Sequence, residues 1–266
     1  MTIMSGTYDL TLVVLSCLLS ILASFTALNI SDRLNLIGNR SIWPWIAFGG
    51  CIMGLGIWSM HFVAMLAFHL PVAVGYDIPT TVASLLIAIA ASTVGFIPLA
   101  RFALHWPQLI VSAVVMGLGV AGMHYLGMQA MSICSGIRYQ PWLVVLSVII
   151  AILASGAALL LAFDLRRPSA FGRTRQIGSA IVMGVAVCGM HYCGMAAASF
   201  ERGSDSAATL ANLPAPWLAG IVVTFSLVIF LVAAVIMVLD ARINTQARER
   251  VQATLSSHLD RRNPTR

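Results

Sequence analysis

Apolar residues run along this chain in seven long blocks that short polar stretches separate. Each block reaches the roughly 20 residues with which an α-helix crosses a hydrocarbon layer about 30 Å thick. Numbered as spans 1 to 7, the blocks lie at about 8–28, 44–68, 79–100, 108–131, 142–163, 177–199 and 217–239. The pattern predicts an all-α membrane protein with seven transmembrane helices.

Composition agrees with this pattern. Apolar residues make up 59% of the 266 positions, only 9% are charged, and the mean hydropathy is +0.93. Soluble domains carry much more charge, about a quarter of their residues. Span 1 follows no basic segment and precedes no convincing cleavage site, so we expect a retained helix rather than a signal peptide.

The arginines predict how the chain is oriented. All 15 basic residues are arginines, and the net charge is +6. They gather in the first, third and fifth loops and after span 7, and only Arg138 and Arg202 lie in the other loops. Cytoplasmic loops collect basic residues, so we expect the N-terminus outside and the C-terminus in the cytoplasm. Arginines used in this way give no reason to expect a nucleic-acid partner.

Spans 2, 4 and 6 contain the same arrangement of histidine, methionine and glycine. The copies are Met53–Met65, Met116–Met128 and Met183–Met195. In each copy methionines stand 8 and 1 residues before the histidine and 4 residues after it, and a glycine stands 7 residues before it. At about 100° per residue, the histidine and the methionine that follows it share a helix face. The copies therefore predict a buried site built from three helices.

The spacing of the motifs predicts their arrangement. They recur on every second span, which indicates three parallel two-helix repeats made of spans 2–3, 4–5 and 6–7, with span 1 outside them. The histidines lie at nearly the same depth, roughly 10–12 Å from the outer end of each helix at 1.5 Å per residue. We therefore expect one shared site in the outer half of the membrane.

The side chains of the motif favour copper. Imidazole and thioether groups together suit copper, especially Cu(I), better than zinc or magnesium, and the motif spans contain no carboxylate to complete a zinc or non-haem iron site. The predicted ligands are His61, His124, His191, Met65, Met128 and Met195. Additional ligands or supporting groups are Met60, Met123, Met190, Tyr125, Tyr192, Cys188 and Cys193. The methionines 8 residues before the histidines are expected to pack rather than to bind.

Three short segments resemble the Met-His-Tyr core of the MHYT family of bacterial integral-membrane sensor domains: Met60-His61-Phe62, Met123-His124-Tyr125 and Met190-His191-Tyr192. Val63, Leu126 and Cys193 stand where the family motif has threonine. The resemblance implies a seven-helix sensor in the bacterial inner membrane that binds copper near the outer face. It also implies that the sensor perceives oxygen, carbon monoxide or nitric oxide.

The same resemblance implies a cytoplasmic output, either modules that make and degrade cyclic di-GMP or a histidine kinase. We assign residues 1–240 to the sensor domain and residues 241–266 to a cytoplasmic basic tail or a linker to a missing output domain. The tail is either a helix that continues span 7 for signal transmission or homodimer formation, or a disordered end.

Function hypotheses of three classes stay open. The leading one is a signal-input domain whose copper ion binds a diatomic gas or changes redox state. A copper carrier or permease is the second, because rows of methionine can pass Cu(I), and a membrane redox protein that holds haem through paired histidines is the third. The chain has no lysine for a retinal Schiff base, and no acidic residue lies deep in a span, as a proton pump would need. No constellation of nucleophile and base is visible, so no enzymatic activity is predicted.

Overall fold

The structure, a computed structural model, describes residues 3–34, 42–72, 74–99, 105–132, 136–165, 172–201 and 213–262. Most of these residues lie in seven helices: α1 (Leu10–Leu34), α2 (Ile42–Ala67), α3 (Ile78–Leu99), α4 (Trp106–Ala130), α5 (Pro141–Asp164), α6 (Gly172–Ala197) and α7 (Ala215–Arg262). Each helix contains a stretch that is long and apolar enough to cross a membrane. The prediction of an all-α, multi-pass membrane protein with seven spans is confirmed.

Helices α1 to α6 form a closed ring in chain order. Each packs on the helix before it and the helix after it, and α6 packs on α1 to close the ring. The motif helices α2, α4 and α6 are more deeply buried than α1, α3 and α5. The ring therefore directs its motif helices toward a common axis.

The places of the first and last helices differ from the expectation. α7 lies outside the ring, against α1 and α2. We expected span 7 to complete the third repeat beside span 6 and span 1 to stand apart, and this was wrong, because α1 packs beside α6 instead. Both α1 and α7 run in the direction opposite to α6, so either helix could pack beside α6. The order of the spans in the chain did not decide between them.

The glycine 7 residues before each motif histidine brings a neighbouring helix into backbone contact. A Cβ added to any of the three would come within 2.7 Å of the Cα of an isoleucine on that helix. The pairs are Gly54 with Ile89, Gly117 with Ile152, and Gly184 with Ile21. Small residues allow such close approach between membrane helices. We call the contact between two neighbouring helices of the ring a seam. The seams α2–α3, α4–α5 and α6–α1 are thus built alike.

Eight short strands gather where α2, α4 and α6 end. They are β1 (Ile3–Met4), β2 (Thr7–Tyr8), β3 (Phe68–His69), β4 (Gly75–Tyr76), β5 (Met131–Ser132), β6 (Ile137–Tyr139), β7 (Ala198–Glu201) and β8 (Leu213–Pro214). Antiparallel pairing joins them in the orders β1-β7-β6, β2-β3 and β5-β4-β8. This layer was not predicted, because strands this short leave no recognisable alternation of apolar and polar residues.

Backbone hydrogen bonds connect each pair of helices at the same end. The residue before α1, α3 or α5 donates its N–H to the last carbonyl of α2, α4 or α6 at 2.8–2.9 Å, in the pairs Asp9 with Ala67, Asp77 with Ala130 and Gln140 with Ala197. Two of these residues also cap the helix that they precede. Hydrogen bonds from the backbone N–H groups of Thr11 and Leu12 lower the pKa of Asp9, and hydrogen bonds from Thr80 lower the pKa of Asp77. Both carboxylates therefore stay charged and able to cap at neutral pH.

The last helix continues well beyond its apolar part. Its membrane-length stretch is Ala215–Ile236, and the helix itself extends to Arg262. A narrow stripe that includes Leu218, Val222 and Ile229 is buried against the ring. Of the two forms considered for the tail, the helical one is observed as far as Arg262, and residues 263–266 lie outside the described residues. The division of the chain at residue 240 stays a prediction.

The close seams yield a first testable prediction. In Gly117→Ala, the new Cβ would lie 2.5 Å from Ile152 Cα, so α4 and α5 must move apart. Overpacking of this kind costs about 1–3 kcal/mol. We expect a clearly lower thermal unfolding midpoint in detergent. Gly122→Ala on the same helix is the matched control, because nothing lies within 4 Å of its added Cβ. Equal unfolding midpoints for the two variants would contradict the close backbone contact between α4 and α5 at Gly117.

Candidate metal centre

Three buried histidines meet on the axis of the ring. His61, His124 and His191 are each no more than 1% exposed. His61 Nδ1 lies 3.0 Å from His191 Nδ1 and 3.2 Å from His124 Nδ1. The ring centroids are 5.0 Å apart in all three pairs, with interplanar angles between 77° and 89°. The predicted convergence of the three histidines is therefore observed.

Matched positions in the helices produce this convergence. Each histidine lies six residues before the last residue of its helix, Ala67, Ala130 or Ala197. At 1.5 Å per residue that is roughly 9 Å, slightly closer to the helix end than the predicted depth of roughly 10–12 Å. Because the three helices end together at the strand layer, the histidines fall on one level.

The outer nitrogens of the imidazoles point away from the axis. Nε2 of His61, His124 and His191 is buried and has no hydrogen-bond partner among the described residues. A Cβ added to Gly127 would lie 2.3 Å from His61 Nε2, and one added to Gly194 would lie 2.3 Å from His124 Nε2. Two imidazoles therefore occupy space that a glycine on the next motif helix leaves free.

The three Nδ1 atoms form a donor set that fits a metal ion. Two nitrogen ligands at about 2.0 Å from a metal lie roughly 3.3–3.5 Å apart in tetrahedral or trigonal geometry. The observed separations of 3.0 and 3.2 Å are close to this. A neutral imidazole has one N–H and one acceptor nitrogen, and a buried nitrogen without a partner costs about 1–3 kcal/mol. Three incompletely bonded imidazoles in one cluster are therefore better suited to holding an ion than to stabilising the fold.

The methionines nearest the histidines in the motif are buried, but their surroundings differ from one helix to the next. Met65, Met128 and Met195, one turn beyond the histidines, are buried. Met128 is enclosed, whereas Met65 and Met195 each also line a separate surface cavity beside α1. Met60, Met123 and Met190, directly before the histidines, are buried as well. The thioethers are thus near the histidine level, and their part as ligands stays a prediction.

The methionines 8 residues before the histidines form a layer of their own. Met53, Met116 and Met183 together line a cavity of about 20 Å³, room for about one water molecule. Ile57, Val120 and Val187, halfway between these methionines and the histidines, line the same cavity. Three motif helices that share both this layer and the histidine layer must run in the same direction. The expected packing role of these methionines agrees with their apolar surroundings.

Tyrosines of the motif bond to serines across two of the seams. Tyr125 Oη lies 2.6 Å from Ser147 Oγ, and Tyr192 Oη lies 3.0 Å from Ser16 Oγ. The phenols therefore bond to α5 and α1, and these two hydrogen bonds fix α4 and α6 in the ring. The tyrosines belong to the predicted motif, whereas their serine partners lie on other helices and were not predicted.

The first motif forms an equivalent hydrogen bond to a serine, but from a different residue. It has Phe62 in place of tyrosine, and Trp58 Nε1 donates to Ser84 Oγ at 3.1 Å. Ser84 on α3 corresponds to Ser16 and Ser147, since all three donate to the carbonyl three residues earlier. A repeated serine on the helices without the motif was a usable signal in the sequence.

The two cysteines near His191 point to different neighbours. Cys193 Sγ lies 3.8 Å from the Leu143 carbonyl oxygen of α5. Cys188 is 4% exposed and lies close to Cys17 on α1. Among the described residues, the side chains that lie close enough together to hold a metal ion are those of the three histidines. The proposal that either cysteine is a ligand therefore gains no support from its contacts.

The space beside the imidazoles yields a second prediction. Gly194→Ala places a Cβ 2.3 Å from His124 Nε2 and must displace that imidazole. Disturbing the groups that orient a metal ligand weakens binding by about 10–100-fold. We expect a loss of this size in the Cu(I) affinity of the purified protein. Gly189→Ala, on the same helix with nothing within 4 Å of the added Cβ, should bind as the unmodified protein does. Equal affinities for both variants would argue against an ion at this position.

Known proteins with similar sequences are bacterial signalling proteins. The MucR protein of Pseudomonas aeruginosa PAO1, a bifunctional diguanylate cyclase/cyclic di-GMP phosphodiesterase, is 43% identical over 256 residues, which are 96% of this chain and 37% of MucR. The cyclic di-GMP phosphodiesterase NbdA of the same strain is 41% identical over 221 residues, 81% of this chain and 28% of NbdA. The signalling protein YkoW of Bacillus subtilis 168 is 38% identical over 198 residues, 74% of this chain and 25% of YkoW.

The chain thus spans about a quarter to about a third of the length of these relatives. No solved structure is significantly similar to it. The sequence profile of the MHYT family, described as a bacterial signalling protein N-terminal repeat, matches residues 54–112 and 117–172, which hold the first two motifs apart from Met53 and Met116. The fold, the three histidines and these similarities agree, and the chain belongs to the MHYT family of bacterial signalling proteins.

Proposed function

We propose that this chain is a membrane signal-input domain that binds one copper ion between His61, His124 and His191. The observation that carries the proposal is the meeting of three buried imidazoles whose Nδ1 atoms lie 3.0 and 3.2 Å apart. Ionisable side chains inside membrane proteins are rare and usually functional. Three of them on one level, without complete hydrogen bonding, are best explained by a ligand that they share.

The choice of copper rests on the type of the donor groups. Nitrogen and thioether ligands suit copper, and the cluster contains no carboxylate. Met65, Met128 and Met195 are the proposed sulfur ligands, since they follow the histidines by one turn and are buried with them. When bound, copper would supply a centre that binds oxygen, carbon monoxide or nitric oxide, or that changes oxidation state. The chain's own part is to hold the imidazoles and to exclude water from them.

The proposed orientation places the site toward the outside. With the N-terminus outside and the C-terminus in the cytoplasm, as the arginines indicate, the strand layer and the histidines lie in the outer half of the bacterial inner membrane. Arg173, Arg175 and Arg242 are described and lie at the opposite end of the helices from the strands. Arg40, Arg101, Arg166 and Arg167, which also support the orientation, lie outside the described residues, as does Arg202, one of the two arginines in the other loops.

We further propose that α7 carries the signal to a cytoplasmic output. Trp58 lies one turn before His61 and contacts Phe225 of α7, with ring centroids 5.7 Å apart. A change at the histidines that moved α2 would reach α7 through this contact. The names of MucR and NbdA point to cyclic di-GMP turnover as the output. Enzymatic activity would then belong to a partner domain or protein, and this chain would supply the sensor.

A copper carrier is the second candidate, and one observation favours it. Met53, Met116 and Met183 converge on the axis beyond the histidines, so thioethers lie on both sides of the histidine level. Transfer of Cu(I) into proteoliposomes that contain the purified protein would support this candidate. Copper that is bound but not transferred would support the sensor.

Metal content is the third testable quantity. We expect elemental analysis of the detergent-purified protein to find about one copper per chain. A variant with His61, His124 and His191 all changed to alanine should contain none, because it lacks all three nitrogen donors. His69→Ala is the control, since His69 lies in β3 and bonds to the Ala67 carbonyl outside the site. Copper-free protein that binds no added copper would refute the proposed site.

The gas-sensing part has its own readout. Titration of copper-loaded protein with nitric oxide, carbon monoxide or oxygen should change its absorption or electron paramagnetic resonance spectrum, and the spectrum of His69→Ala should change in the same way. A copper protein whose spectrum no gas alters would support the redox form of the proposal instead. A Soret band in the purified protein would favour the haem alternative.

Orientation yields a further prediction. Green fluorescent protein fused after Arg266 should fluoresce in bacteria, because it folds in the cytoplasm. Alkaline phosphatase at the same position should be inactive, since it needs the oxidising exterior. The same two reporters placed before residue 1 should give the opposite results. Phosphatase activity at the C-terminus would invert the proposed topology and place the histidines in the inner half of the membrane.

A further inference from the structure

The seam between α6 and α1 joins the two ends of the ring. The other seams of the ring connect consecutive helices, whereas this one holds helices that are far apart in the sequence. Gly184 packs against the backbone of Ile21, and Tyr192 bonds to Ser16 at 3.0 Å. The numbering falls along α1 as it rises along α6, so the two helices are antiparallel.

Two thiols face each other between these contacts. Cys17 precedes Ile21 by one turn of α1. Cys188 follows Gly184 by one turn of α6 and lies between Gly184 and Tyr192. Where two antiparallel helices touch, a residue that precedes the contact on one helix lies opposite the residue that follows it by the same number of positions on the other. The two thiols lie close to each other, and both lie near the Tyr192 phenol. Both cysteines are unpaired in the structure.

The thiol pair is not a feature of the repeat. On the other two seams, the positions that correspond to Cys17 and Cys188 hold Leu85 and Trp58, or Val148 and Ala121. Apolar side chains of very different size therefore fill this place between the helices. A general packing requirement does not explain two opposed cysteines on the seam that closes the ring.

We propose that Cys17 and Cys188 form a reversible redox pair that links α1 to α6 by a disulfide. The pair is accessible from the lipid side, because Cys17 is partly exposed on the outer surface of the bundle. The oxidant that fits this position is an organic hydroperoxide dissolved in the bilayer. A disulfide is uncharged and has no hydrogen-bond donor, so it suits this apolar environment.

The reaction balances in two steps. The Cys17 sulfur attacks the peroxide oxygen, the O–O bond breaks, and a sulfenic acid and an alcohol form. The Cys188 sulfur then attacks the Cys17 sulfur and expels water. Together two thiols and one hydroperoxide yield one disulfide, one alcohol and one water, and the hydroperoxide accepts both electrons.

The linked form would hold the site more rigidly. α6 carries His191, and the disulfide would fix α6 to α1 about one turn from that histidine. The ring would then be closed covalently, and the helices could not separate at this seam. The redox state of the bilayer would thereby act on the histidine cluster through the position of one motif helix.

The test uses the unmodified protein in lipid nanodiscs treated with cumene hydroperoxide. Free thiols are blocked under denaturing conditions, and the protein is digested and examined by mass spectrometry without reduction. We expect a linked peptide pair that contains Cys17 and Cys188, the loss of two free thiols per chain, and recovery of both thiols on treatment with dithiothreitol.

Two variants complete the design. Cys193→Ser should form the same linked pair, because Cys193 faces α5. Cys188→Ser retains Cys193 on the same helix and should form no intramolecular link to Cys17. The proposal is overturned if both thiols of the treated protein remain fully blockable, or if Cys17 links to Cys193 or to a second chain instead.

Discussion

Three imidazoles on the axis of an apolar bundle impose the constraint on which the other features depend. Their nitrogens are unfavourable in a hydrocarbon layer unless they have partners, and the structure turns the three Nδ1 atoms toward one another at 3.0 and 3.2 Å. This requires α2, α4 and α6 to approach at one level. Gly127 and Gly194 allow it, because the imidazoles of His61 and His124 occupy the space that their missing side chains leave.

The ring repeats one set of contacts three times with local substitutions. A glycine meets an isoleucine on each of the seams α2–α3, α4–α5 and α6–α1, and a serine on the outer helix bonds to an aromatic side chain of the motif helix. Where the first motif lacks tyrosine, Trp58 supplies the hydrogen bond from one turn away. The hydrogen bond matters more than the residue that makes it, since an unpartnered polar group is costly in this environment.

The seventh helix makes this near-threefold arrangement asymmetric. α7 packs on α1 and α2, so of the three motif helices α2 alone has an extensive contact with it among the described residues. Under the proposed function, a symmetric site would transmit its signal through one motif helix, along the contact between Trp58 and Phe225. The proposed disulfide would link α1 to α6, on the side of α1 away from α2.

The sequence by itself determined the seven spans, the three motifs and the level at which the histidines meet, because span length and helical periodicity are local properties. It also contained a signal that was missed: Ser16 and Ser24, Ser84 and Ser92, and Ser147 and Ser155 share one spacing, which marks the first helix as equivalent to the third and the fifth. Only the tertiary structure decided that α1 closes the ring, that Nδ1 faces the axis, and that Cys17 meets Cys188. Those outcomes depend on which helices pack together, and residues far apart in the chain compete for that packing in ways that local pattern does not record.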